Sequence, residues 1–372
     1  MRENKQMTLA MNRRSFIQAA SAVALGAVSS EIPRAVAQSA GELKVALNGG
    51  EYGKACIEAF VKPFEAETGI KVTPITDEVP EAQLQLMVST NSVSVDVVPV
   101  QPFTDVRAPE TGFLEKIDYS IYKKDNLDAM LDFTRTPYSV GSIVFAKCMV
   151  YDTEKFPADK PRPSNWGDFW DVEKFPGVRT LASGAEGGGP WVPALLADGV
   201  PADAIFPLDI DRVFASLDKI KPHVRKWWMT GSEIQQMMHD RAVDLAESYD
   251  GRAALLIDQG APLEINRSQS VLSWESWGIP KGCPNLQNAQ KFIEFITRAD
   301  RQAAFAQLIP YGPTNGNAFK LIPDDLGRKL ASHPEYLASS IVSDAKWYAE
   351  VGADGKSNIE RLIQRWNEWI LQ

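Results

Sequence analysis

Beyond residue 40, strand-like and helix-like segments take turns along this chain, and that alternation narrows the folds open to it. Residues 43–47 read as a strand. Ile57, Phe60, Val61 and Phe64 then recur at i, i+3, i+4 and i+7, the apolar stripe of a helix, and Gly69 stands where a left-handed cap would end it. Residues 70–73 read as the next strand, 81–88 as a second helix and 95–98 as a third strand. Strand–helix–strand order at this spacing implies parallel pairing with right-handed crossovers.

The pattern returns in the middle of the chain. Residues 179–182 and 224–228 read as strands around a helix at 206–220. Thr230 and Glu233 have the spacing of a capping box, opening a helix that runs to about His239. Residues 243–246 read as a strand, and Asp250 with Gly251 opens another helix. The apolar stripes at Phe292, Ile293, Phe295, Ile296, Phe305 and Leu308, and at Ile359, Leu362, Ile363, Trp366 and Ile370, are read as core. The expectation is an α/β protein of two lobes, each a mostly parallel sheet flanked by helices, with residues 142–146 and 271–274 as strands crossing between them.

The first 37 residues read differently. Arg13 and Arg14 precede Phe16 and Ile17, an apolar run covers 19–28, and Ala35-Val36-Ala37 is an A-x-A cleavage pattern. These are the marks of an export signal, and the paired arginines point to the route that carries folded proteins. The apolar run is too short to span a bilayer. Removing it leaves about 335 of 372 residues, more than one core usually serves, so two domains are expected.

The whole chain carries a formal charge of −9. The leader holds Arg2, Lys5, Arg13, Arg14 and Arg34 against Glu3 and Glu31, so cleavage takes away +3 and leaves −12. An acidic chain without a basic stripe is a poor nucleic-acid binder. Cys56, Cys148 and Cys283 form no C-x-x-C pair; three buried thiols are the favoured reading, and one disulfide stays open. His223, His239 and His333 form no i, i+3 or i, i+4 pair, so a metal site or histidine base lacks support. There is no nucleophile elbow, Walker A loop or dinucleotide fingerprint, and Gly187-Gly188-Gly189 has the wrong spacing. No cofactor is expected.

Several blocks carry a family resemblance: Phe64-Glu65-Ala66-Glu67-Thr68-Gly69-Ile70-Lys71-Val72, Val95-Asp96-Val97-Val98, Gly112-Phe113-Leu114-Glu115, Tyr249-Asp250-Gly251-Arg252, Trp277-Gly278-Ile279-Pro280 and Tyr311-Gly312-Pro313-Thr314-Asn315. In this order they resemble the bacterial extracellular solute-binding proteins of ABC importers, in the branch of the periplasmic spermidine- and putrescine-binding proteins. The resemblance implies lobes at 41–140 plus 276–318 and at 141–275 plus 319–372, closing on a ligand like a hinge. It implies a periplasmic monomer whose partners are a small amine-bearing ligand and the importer's membrane permease.

The resemblance also implies ligand contacts. Glu275 stands where an acid meets a ligand ammonium, and Tyr311 where an aromatic closes over it. Tyr249 takes a position often held by Trp, suited to cation–π contact, and Arg252 is placed to anchor a carboxylate or to pair with an acid such as Asp250. Tyr52, Gln101, Phe103 and Trp274 are further candidates. Where polyamine binders carry two acids, only Glu186 remains, which suits a shorter ligand. The main expectation is a polyamine or short amine. An ω-amino acid such as 4-aminobutyrate is the alternative, its ammonium on Glu275 and its carboxylate on Arg252 or on the helix start at 230–232. An anion or metal chelate, and a periplasmic enzyme, are the remaining readings.

Overall fold

The structure, a computed structural model, describes residues 41–47, 49–77, 79–185 and 187–372. The leader at 1–37 and Glu186 lie outside them. The opening β-α-β unit forms as its pattern requires. Strand β1 (Glu42–Ala46) pairs in parallel with β2 (Lys71–Ile75). The helix between them runs through Gly50–Cys56, a π turn at Ile57–Val61, and Lys62–Thr68. It buries Phe60, Val61 and Phe64, and Gly69 ends it at φ 71°. The third strand, β3 (Val98–Val100), starts later than the apolar run suggests. Val97 still bridges Val45 in parallel, but the Asp96 carboxylate accepts from Lys44 N at 2.7 Å and from Asn285, which ties this turn down.

Two long strands form the spine. β4 (Ser139–Asp152) and β8 (Leu263–Gly278) pair antiparallel from Ser139↔Gly278 to Asp152↔Leu263, with register shifts after Gly141 and Lys147. β4 is buried along most of its length because structure covers both faces. The remaining strands are β5 (Arg179–Ala182), β6 (Val224–Trp228), β7 (Leu245–Tyr249) and β9 (Ile341–Val342). The spine sheet runs β3-β8-β4-β7-β5-β6, with β9 against β8. β5 is parallel to β6 and β7, as a second α/β unit demands, whereas β4 meets both β7 and β8 antiparallel.

A large apolar core packs at each end of this spine. One joins Leu43, Phe60, Phe64, Ile143, Trp277 and Phe292; the other joins Trp166, Trp191, Phe214, Leu217, Leu362 and Trp366. Each such side chain contributes about 1.5–3 kcal/mol on burial. The body is thus two-lobed, with β4 and β8 passing between the cores. The helix expected from 206 begins only at Ile210, where the Asp209 side chain accepts from Arg212 N and caps it. All three cysteines are buried and free, and burial pushes each thiol up. No helix among the described residues is long and apolar enough to cross a membrane.

Candidate functional site

Strand alternation decides what the spine presents. On β8 the side chains of Val271, Ser273 and Glu275 share one face; on β4 their partners are Lys147, Phe145 and Ile143. The other face carries Leu272 and Trp274 against Val144 and Ala146. The first helix lies over the Glu275 face. Phe60 meets Trp277 edge to face at 6.1 Å, and one turn earlier Cys56 and Tyr52 come beside Glu275. The Tyr52 phenol is pushed well up, first by burial and then by the Glu275 charge, with the Ser142 hydroxyl opposing.

Tyr311 arrives from the far end of the chain. Gly312 exchanges backbone hydrogen bonds with Val144 at 2.7 and 2.9 Å. A methyl on Gly312 would lie 2.4 Å from Ser332 Oγ, so only glycine fits this close approach. The Tyr311 ring sits 6.2 Å from the Tyr52 ring and covers Gly251, where a methyl would stand 3.1 Å from Cε1. Burial pushes the Tyr311 phenol up to about 12; Arg252 opposes, while Asp250, Glu275 and Tyr249 add to the rise. One ring therefore feels both Glu275 and Arg252.

Arg252 lies in the first turn of Asp250–Asp258 and bridges to the next helix, donating to Gln235 Oε1 at 3.0 Å. A methyl on Gly231 would be 3.1 Å from Arg252 Nε, so the guanidinium stands at the start of Gly231–His239. Thr230 caps that helix, accepting from Glu233 N at 3.2 Å. The Glu233 carboxylate accepts from Met229 N, one residue before the position a capping box would use. A guanidinium beside a helix N-terminus is a carboxylate-binding arrangement.

Gln101 and Phe103 line two adjoining cavities. One, about 420 Å³, reaches Glu275, Asp77 and Glu81. The other, about 440 Å³, is walled by Phe145, Tyr249, Trp191, Trp228 and Tyr348. Tyr249 packs edge-on against Phe145 at 5.5 Å and Trp228 at 5.3 Å. Of the residues picked from sequence, Tyr52, Glu275, Tyr249 and Arg252 all lie around Tyr311, Tyr249 also lines the second cavity opposite Lys147, and Gln101 and Phe103 edge both cavities. Trp274 is corrected: it points to the opposite face of β8, 5 % exposed, against Phe133 at 5.1 Å. Glu186 is outside the described residues.

Two charged pairs were not foreseen. Asp250 is buried and ion-paired with Arg267 at 3.2 Å, not with Arg252, and accepts from Ala146 N at 3.0 Å. Burial raises its pKa against the pull of Arg267. Glu247, fully buried at the second cavity, stands 3.4 Å from Lys147 Nζ and accepts from Ala182 N at 2.9 Å. Alternation along residues 245–249 places Glu247 on the face of Tyr249, but the register that brings Lys147 over is a tertiary fact. Among the described residues no group of three or more His, Cys, Asp and Glu side chains is placed to hold a metal ion.

The arrangement suits capture of a small charged solute, and known proteins place it. The family model for bacterial extracellular solute-binding proteins matches residues 59–334. The gamma-aminobutyric acid-binding protein of Pseudomonas aeruginosa is 32 % identical over 326 residues, 86 % of this chain and 88 % of that one. The spermidine/putrescine-binding periplasmic protein of Escherichia coli is 26 % identical over 302 residues, 79 % of this chain and 84 % of that one. The crystal structure of an ABC transporter substrate-binding protein from Bradyrhizobium japonicum matches with a TM-score of 0.78 at 31 % identity, covering 89 % of this chain and 99 % of that one. With the family model spanning most of the chain and the two-lobed fold to match, this protein belongs to the bacterial extracellular solute-binding proteins and is a periplasmic substrate-binding protein of an ABC transporter.

Proposed function

We propose that the protein binds a short ω-amino acid of the 4-aminobutyrate kind, ammonium toward Glu275 and carboxylate toward Arg252, in preference to a polyamine. The observation that carries this reading is the position of Tyr311, 6.2 Å from the Tyr52 ring and packed over Gly251, between Glu275 on β8 and Arg252 one residue on from Gly251. An opposite-charge pair of that kind matches a zwitterion. Tyr52, Tyr249 and Tyr311 supply aromatic walls for its methylenes and cation–π contact for its ammonium. A polyamine needs an acid for each ammonium, and one acid nearby, Asp250, already faces a cation, Arg267. The 32 % identical relative that binds gamma-aminobutyric acid supports the same choice.

In this reading the lobes are residues 41–140 with 276–318, and 141–275 with 319–372. The leader takes the twin-arginine route, and the mature chain works as a monomer that hands its ligand to the permease and catalyses nothing. Calorimetric titration of the mature protein with 4-aminobutyrate, putrescine and spermidine tests it. The zwitterion is expected to bind at least about tenfold tighter than either polyamine. Tighter binding of putrescine would return the site to the polyamine class.

A further inference from the structure

The cleft is longer than 4-aminobutyrate. Val271, opposite Lys147 in the register, and Glu275 are four residues apart on β8, about 13 Å along a strand. The two charges of 4-aminobutyrate are separated by roughly 5 Å, about one and a half residues of extended chain. From Glu275 the same face of the spine continues past Ser273 and Phe145 to Lys147, whose partner on β7 is Tyr249, and to Glu247; these border the cavity of about 440 Å³. That is the size of a site for a larger ligand.

This far end is polar in a specific way. Glu247 is fully buried, and its Oε2 accepts from Ala182 N. Its Oε1 accepts no hydrogen bond among the described residues, and Lys147 Nζ at 3.4 Å is beyond the 2.7–2.9 Å of a charge-assisted bond. Lys147 donates to Gly188 O at 2.6 Å and has two further N–H groups. A buried carboxylate oxygen without a donor is costly, so a structural ion pair alone would leave Glu247 badly served. The cavity therefore ends in one acceptor seeking a donor beside one cation able to bind an anion.

We infer that Lys147 and Glu247 form a second subsite, and that the cleft takes an ω-amino acid extended at its carboxyl group by an amino-acid unit. This rests on the ω-amino-acid reading of the first end and names a longer ligand for it. In such a compound the terminal ammonium faces Glu275 and the amide carbonyl accepts from Arg252. The amide N–H donates to Glu247 Oε1 and the terminal carboxylate accepts from Lys147. Phe145 and Tyr249, packed edge to face at 5.5 Å between ring centres, form one wall along the middle.

Calorimetry with 4-aminobutyrate and 4-aminobutyryl-glycine on the mature wild-type protein tests the inference. The dipeptide is expected to bind about tenfold tighter, and Lys147→Met to bring the ratio of the two affinities to about one. If 4-aminobutyrate binds and the dipeptide is equal or weaker, the subsite is refuted and the reading of the first end stands. If neither binds, both fall together. Equal weakening of both ligands by Lys147→Met would make the pair structural and overturn the subsite. Should that variant fail to fold, the wild-type ratio decides alone.

Discussion

At the Glu275 end of the cleft, the polar and aromatic groups come from separate stretches of chain: Tyr52 on the first helix, Glu275 on β8 and Tyr311 after the late helices, with Arg252 from the turn after β7 reaching the same Tyr311 ring. At the Lys147 end, the two charges come from adjacent strands and already face each other at 3.4 Å. The difference separates two uses of charge. In the proposed lobe division the first set is drawn from both lobes, and such groups change their spacing when lobes move, which suits ligand capture and closure. Charges that neutralise a neighbour on the same sheet either hold the scaffold or serve as a fixed pole. Asp250, locked to Arg267 and to Ala146 N, is the scaffold case, although it lies within electrostatic reach of Tyr311 like the capture residues do.

The largest expected effect breaks that scaffold pair. Asp250→Ala leaves Arg267 partly buried opposite no carboxylate and removes an acceptor from β4. Breaking a buried pair in this way costs about 3–5 kcal/mol, read as a lower midpoint in urea unfolding. Unchanged stability with lost ligand affinity would move Asp250 into the capture group. Glu275→Gln comes next. It keeps shape and removes charge, so it should weaken 4-aminobutyrate by about 2–3 kcal/mol, roughly 30- to 150-fold, by calorimetry. Unaltered affinity would take Glu275 out of the site. Arg252→Ala should weaken the zwitterion about tenfold while changing putrescine affinity less than about threefold. Equal losses for both ligands would mean that Arg252 supports the two helix starts through Gln235 instead of meeting a carboxylate.

The same comparison shows what the sequence could disclose. The β-α-β opening, Gly69 as a left-handed cap and Thr230 as a helix cap were readable because their signals lie within a few residues of one another. Glu275, Tyr311 and Arg252 could be picked out through a family pattern, which carries positions whose spatial meeting no local rule predicts. The partners of Asp250 and Glu247 were not readable. Arg267 and Lys147 reach them only through the register of β8 and β4, and Lys147 is 100 residues from Glu247 in sequence. The antiparallel spine escaped for a related reason. Apolar runs such as 142–146 show burial on both faces but not the direction of the neighbouring strand.

Trp274 carries the finest distinction, because one residue along β8 decides which face of the strand a side chain takes. Its neighbour Glu275 is on the cleft face; Trp274 is on the other, against Phe133 and Ala331, and its indole N–H has no hydrogen-bond partner among the described residues. Trp274→Phe should therefore leave 4-aminobutyrate affinity within about twofold of wild type. Its stability change should also be small, below about 1.5 kcal/mol, since removing an unsatisfied buried donor offsets part of the lost apolar packing. Fluorescence supplies a further check: a ligand-induced change in tryptophan emission should survive in Trp274→Phe, because Trp228 and Trp191 remain at the cavity wall. A variant that folds normally but binds tenfold more weakly would mean that β8 presents the face of Trp274, not that of Glu275, to the ligand, and would undo the assignment of both ends of the cleft.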